Sequence, residues 1–148
     1  MLTKIIHENQ LLAIIIHNDF YREGISFFTP ESFSQQLGYM NRPKGYTIPP
    51  HTHNPVIREV SMTKEVLFIK SGIVRVDFYD DNKKYLESKV LSKGDVVLLA
   101  YGGHGFQILQ DAEIIEVKQG PYAGNQDKTH FKPVCSSMIK ISGDSPDD

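Results

Sequence analysis

Cysteine is almost missing from this chain of 148 residues. Cys135 stands alone, so no intramolecular disulfide can form, and a reducing cytoplasmic compartment is expected. A surplus of either charge is also missing. Sixteen basic residues against eighteen acidic ones leave a net charge of −2. That is too little positive charge to hold a nucleic-acid backbone and too little negative charge for a disordered chain. Long apolar runs are absent too. Near the N-terminus the longest is Leu11 to Ile16, whereas a membrane helix needs about 20 apolar residues and a signal-peptide core about 7–15. No phosphate loop, dinucleotide fingerprint or nucleophile elbow is present. The composition that remains, 40% hydrophobic and 23% charged, suits one compact soluble domain, with neither a membrane nor a nucleic acid as partner.

Short β-type segments separated by turn residues dominate the chain. Leu11–His17 is β-branched and bounded by polar residues, which favours a buried strand. Gly24–Phe28 reads as a second strand. Thr29-Pro30-Glu31 then carries the signals of a helix start, with Thr29 as cap and Pro30 at the first position, predicting one short helix to about Gln36. Further strands are expected over Lys64–Ser71, Ile73–Tyr79, Tyr85–Leu91, Val96–Ala100, His104–Leu109 and Glu113–Gln119, with turns at Asp80–Lys83 and Ser92–Asp95. Within Ile73–Tyr79 the alternation puts Val74, Val76 and Phe78 on one face and Arg75, Asp77 and Tyr79 on the other. Nothing resembles a helical crossover, so the expected architecture is an antiparallel sandwich or barrel. It forms a single domain over residues 1–141, with a frayed acidic tail over 142–148.

His51-Thr52-His53 is the most informative triplet. In an extended segment residues i and i+2 point the same way, so both imidazoles converge, and neutral imidazole is the commonest protein ligand for transition metals. The spacing alone fits an exposed strand end equally well. Glu65 heads a row continued by Leu67 and Ile69, and His104 heads one continued by Phe106 and Ile108. A carboxylate leading an inward apolar row is costly unless it is paired or metal-bound.

Together these residues resemble a known family. Gly45, His51, His53, Glu65 and Gly72 resemble the first cupin motif, and Gly94-Asp95 with Gly102-Gly103-His104 resembles the second. The likeness covers roughly residues 37–122. Including Glu116-Val117-Lys118-Gln119-Gly120-Pro121-Tyr122, it is nearest to small single-domain cupins associated with bacterial surface-polysaccharide biosynthesis. The resemblance implies an all-β double-stranded β-helix, a jelly-roll-like barrel. It also implies a divalent metal (zinc, iron, manganese or nickel) held by His51, His53, Glu65 and His104. The gap between His53 and Glu65 is longer than the family's, which leaves Glu59 as a competing carboxylate and makes Asn54–Lys64 an insertion at the pocket mouth. Ala100 stands where the second motif usually has proline, and His104 comes one residue early.

Three further side chains complete the expected site. Glu116 and Lys118 share a strand face with Ile114, either as an acid/base or substrate-charge pair inside the barrel or as an ordinary solvated pair. Arg42 either clamps a carboxylate or phosphate or is a surface arginine. The activity expected is metal-assisted isomerisation or epimerisation of a sugar or sugar acid. The competing readings are an iron-dependent dioxygenase and a non-catalytic metabolite-binding module. Val66 and Phe68, on the face away from Glu65, are apolar and point to a homodimer.

Overall fold

The computed structural model describes residues 1–143. It contains eight strands: β1 (Leu2–His7), β2 (Gln10–Ile16), β3 (Gly24–Phe27), β4 (Gly38–Asn41), β5 (Glu65–Tyr79), β6 (Tyr85–Ser92), β7 (Val96–Leu99) and β8 (Gly103–Lys118). Two single-turn 3-10 segments, Gly124–Gln126 and Ser136–Met138, are the only helical pieces among the described residues. No helix there is long and apolar enough to cross a membrane. The chain divides into two compact units, one formed by Met1–Phe20 with Thr63–Asp148 and the other by Tyr21–Met62.

The larger unit is a curled antiparallel sheet that forms a half-barrel. Its ladder runs β1-β2-β7-β5-β6, with β8 on the remaining side of β5. The β1–β2 hairpin turns on Glu8 and Asn9, both at positive φ (48° and 66°), the backbone that a two-residue hairpin turn requires. Leu12 to Ile16 of β2 are all buried, as expected for a strand covered on both faces. Asp80 Oδ1 accepts hydrogen bonds from the amides of Asn82 and Lys84 and builds the β5–β6 turn. The core is formed by Ile5, Leu12, Ile15, Leu67, Ile69, Val74, Val76, Phe78, Leu91, Val97 and Leu99.

Two long strands replace the four short ones expected on either side of β6 and β7. Gly72 does not end a strand; it bends one. Before it, β5 pairs with β7 (Glu65↔Leu99 to Phe68↔Val96); after it, β5 pairs with β6 (Ile73↔Ser92 to Tyr79↔Tyr85). β8 follows the bend along its whole length, with register shifts on both sides of Ser71 and just after Ile73. On the outer side of this ladder Phe68 lies opposite Ile115 and Val66 opposite Val117, and Phe68, Ile115 and Val117 are exposed.

The smaller unit holds the β3–β4 hairpin, paired from Gly24↔Asn41 to Phe27↔Gly38. The helix expected from Thr29 to Gln36 is not there: the segment is a loop. Only one helix-like bond forms, Phe33 N to Pro30 O at 3.0 Å. The Gln36 side chain occupies the carbonyls instead, with Nε2 donating to Pro30 O at 3.0 Å and Phe33 O at 2.9 Å. Thr29 Oγ1 donates to Gln36 Oε1 at 2.7 Å and accepts from the Leu37 amide at 3.2 Å. These local side-chain bonds outcompete a helix too short to propagate. Gln36→Ala is therefore expected to destabilise this loop by about 1 kcal/mol, read as faster hydrogen exchange at the Leu37 amide.

The tail expected to fray over 142–148 begins fixed. Lys89 Nζ donates to the carbonyls of Ser142 and Gly143 at 3.2 and 2.9 Å, and Ser142 hydrogen-bonds Glu87. Residues 144–148 lie outside the described residues.

Candidate functional site

The inner face of the half-barrel is fixed by β5. Leu67 and Ile69 are buried, so Glu65, two residues before Leu67, opens the same inward row. The register places Lys118 of β8 opposite Glu65, Glu116 opposite Leu67 and Ile114 opposite Ile69. Glu116 and Lys118 therefore share the inward row of this ladder, Lys118 partly buried and Glu116 exposed to solvent. At the far end of the same ladder His104 lies opposite Phe78, Phe106 opposite Val76 and Ile108 opposite Val74. Phe106 and Ile108 are exposed at the open side of the half-barrel, although their row reads as buried in the sequence.

Curling of the sheet brings the two ends of this ladder together. His104 Nε2 lies 3.2 Å from Glu65 Oε2, with the side chains 30% and 16% exposed. Lys118 Nζ is 3.9 Å from Glu65 Oε1 and 2.9 Å from Asp127 Oδ2. Thr63 Oγ1 donates to Asp127 Oδ1 at 2.6 Å. A chain of polar groups thus runs Thr63, Asp127, Lys118, Glu65, His104 across the mouth of the concave face.

Electrostatics follow the geometry. The hydrogen bond from His104 holds the Glu65 carboxyl below its ordinary value against the opposing pull of partial burial, with help from the charges of His104 and Lys118. The hydrogen bond to Asp127 holds the Lys118 ammonium above its ordinary value, and Thr63 and Lys118 hold Asp127 below its own. At neutral pH the site presents a carboxylate and a fixed ammonium side by side.

The smaller unit carries the other sequence-predicted residues. His51 and His53 meet edge to face with ring centroids 5.3 Å apart. His51 Nδ1 lies 3.0 Å from the Pro49 carbonyl. A carbonyl only accepts, so Nδ1 carries the hydrogen, and in the neutral ring this leaves the lone pair on Nε2, the tautomer a metal ligand needs. Arg42 stacks over the Tyr46 ring at 4.5 Å. Glu59 is exposed in the irregular stretch that follows.

The donors thus stand as two pairs, His51 with His53 in one unit and Glu65 with His104 in the other. Among the described residues no group of three or more His, Cys, Asp or Glu side chains is gathered closely enough to hold a metal ion. Imidazole and carboxylate are each donor types that divalent transition metals accept. Asp127 and Thr63 were not legible in the sequence. Asp127 lies in a polar stretch without periodicity, and only the fold brings it to Lys118. No family model, curated protein or solved structure matches this chain.

Proposed function

We propose that this chain is a metal-binding cupin with a double-stranded β-helix barrel. It acts on a small polar substrate, a sugar or sugar acid, by isomerisation or epimerisation. The observation that supports the reading most is the meeting of Glu65 and His104 at 3.2 Å beside Lys118, from opposite ends of one ladder. In this reading His51, His53, Glu65 and His104 would hold a divalent ion, which would supply Lewis-acid polarisation of a substrate carbonyl.

The chain's own groups handle charge and protons. Moving a carbonyl or inverting a carbon beside it requires a proton to leave that carbon and negative charge to settle on the oxygen. Lys118, held charged by Asp127, is suited to stabilise that oxygen or to protonate it, not to act as the base. Glu116, exposed two residues away on the same inner face, is the group free to take the proton. Arg42, stacked on Tyr46, offers its guanidinium edge to an acidic substituent of the substrate. In this reading the protein works in the cytoplasm as a homodimer that covers Phe68, Ile115 and Val117.

The test combines elemental analysis of protein purified from its native host with turnover assays on sugar nucleotides and sugar acids. The native protein is expected to carry a stoichiometric divalent metal and to convert one of these substrates, and His51→Ala to lose both. Turnover that persists in metal-free protein would overturn the reading.

A further inference from the structure

A second concave feature lies on the other side of β5. Arg75 and Asp77 point away from the core row of Val74 and Val76, and Gln107 of β8 lies opposite Arg75. With Val134, Ser136 and Ile139 of the C-terminal segment they line a pocket of about 270 Å³. Its outer wall is pinned. The Val134 amide donates to the Tyr79 hydroxyl at 3.0 Å, the Lys140 amide donates to the Tyr85 hydroxyl at 2.8 Å, and Ser88 N donates to Lys140 O at 2.8 Å. The cavity is therefore built by fixed hydrogen bonds, not by a loose flap.

The guanidinium in it is only partly used. Asp77 takes one side of it, with Nε 2.7 Å from Oδ1 and Nη2 3.0 Å from Oδ2. A guanidinium carries five N–H donors. The end formed by Nη1 and the second hydrogen of Nη2 has no partner among the described residues, although the Arg75 side chain is only 12% exposed. This end is not sealed from water, so it is open to an incoming group, and a guanidinium end binds a carboxylate through two parallel hydrogen bonds. Gln107 and Ser136 add neutral hydrogen-bonding groups, and Val134 and Ile139 add apolar wall.

We propose that this pocket is a binding site for a small monocarboxylate with a short apolar tail. The carboxylate docks on the free end of Arg75 and the tail lies against Val134 and Ile139. Asp77 already neutralises part of the guanidinium charge, which disfavours a dianion such as phosphate. The site lies on the face of β5 opposite Glu65, so it stands independently of the proposed metal chemistry.

Sodium butyrate titrated into the full chain tests this, followed by proton–nitrogen NMR of the Arg75 Nε–H and the Gln107 side-chain amide, with sodium chloride at equal ionic strength as reference. Saturating shifts at these two groups, with inorganic phosphate failing to reproduce them, are expected. Gln107→Ala, at an exposed position, should leave the melting temperature unchanged and weaken butyrate binding about fivefold, the loss of one hydrogen bond. The double variant Arg75→Gln/Asp77→Asn keeps the shapes and removes the charges, and should abolish saturation. Should that variant not fold, Gln107→Ala carries the test. Linear shifts without saturation, unchanged affinity in Gln107→Ala, or saturation surviving in a folded double variant would each overturn the proposal.

Discussion

Replacing Asp77 with alanine should destabilise the half-barrel by about 3–5 kcal/mol, the usual cost of leaving one member of a buried ion pair without its partner. Asp77 is 5% exposed and holds Arg75 through two hydrogen bonds. Those bonds raise the Arg75 pKa above its ordinary value in the native chain. Once they are gone the guanidinium still cannot escape by losing its proton, because arginine stays charged throughout the accessible pH range. Asp77 also accepts the Ser88 hydroxyl, and Ser88 is 2.7 Å from the Tyr85 hydroxyl that receives the Lys140 amide. One carboxylate thus joins the outer face of β5 to β6 and, through them, to the C-terminal segment. The loss should appear in urea denaturation as a lower midpoint with an unchanged slope, because the same surface is exposed on unfolding. Arg75→Gln/Asp77→Asn, which removes both charges, should recover most of it, since a neutral pair leaves no orphaned ion. Equal losses in the single and double variants would place the energy in packing and not in the pair.

The alternation that puts Arg75 and Asp77 on one face is legible in the sequence; their burial is not. The cover comes from residues more than fifty positions later, in a segment with no periodic signal of its own. The same division runs through the whole chain. Glu65 and His104 each head an alternating apolar row, so strand periodicity points them inward. The row of Lys118 within Glu113–Gln119 holds only Ile114 as an apolar member, and the register against β5 is needed to place it. Asp127 has no such row, and only tertiary structure reveals it. β1 was hidden for another reason: its turn residues are Glu8 and Asn9, and a glutamate at positive φ carries no sequence signature. The helix signals at Thr29-Pro30-Glu31 are real helix-start chemistry. They lost to Gln36, whose side chain satisfies the carbonyls that a helix would have used. Four strands became two because a glycine within a strand pattern has two meanings, a break or a bend, and only the partner strand decides between them.

Gly72 and Gly45 separate those meanings experimentally. Both stand in the motif read from the sequence, and both have positive φ, +82° and +89°. Around Gly45 nothing lies within 4 Å of an added Cβ, so Gly45→Ala should cost only the strained backbone, about 1–2 kcal/mol. At Gly72 an added Cβ would collide with the Asp111 carbonyl oxygen and come within 2.6 Å of the Ala112 Cα. Both are backbone atoms of β8 and cannot rotate aside. Steric displacement adds to the dihedral strain, so Gly72→Ala should lose about 3 kcal/mol or more. The strain falls where β5 changes neighbour from β7 to β6, so the damage should reach the site as well as the stability. Relief requires β8 to move away from the bend, and β8 carries both His104 and Lys118 to Glu65. In folded Gly72→Ala at low temperature the Glu65 carboxyl should therefore titrate closer to its ordinary value, because the His104 hydrogen bond and the Lys118 charge hold it down in the native chain. A carbon-detected NMR titration of Glu65 in both proteins reads this directly. An unchanged Glu65 titration in a destabilised variant would mean that the bend sets stability without setting the distance between Glu65 and His104.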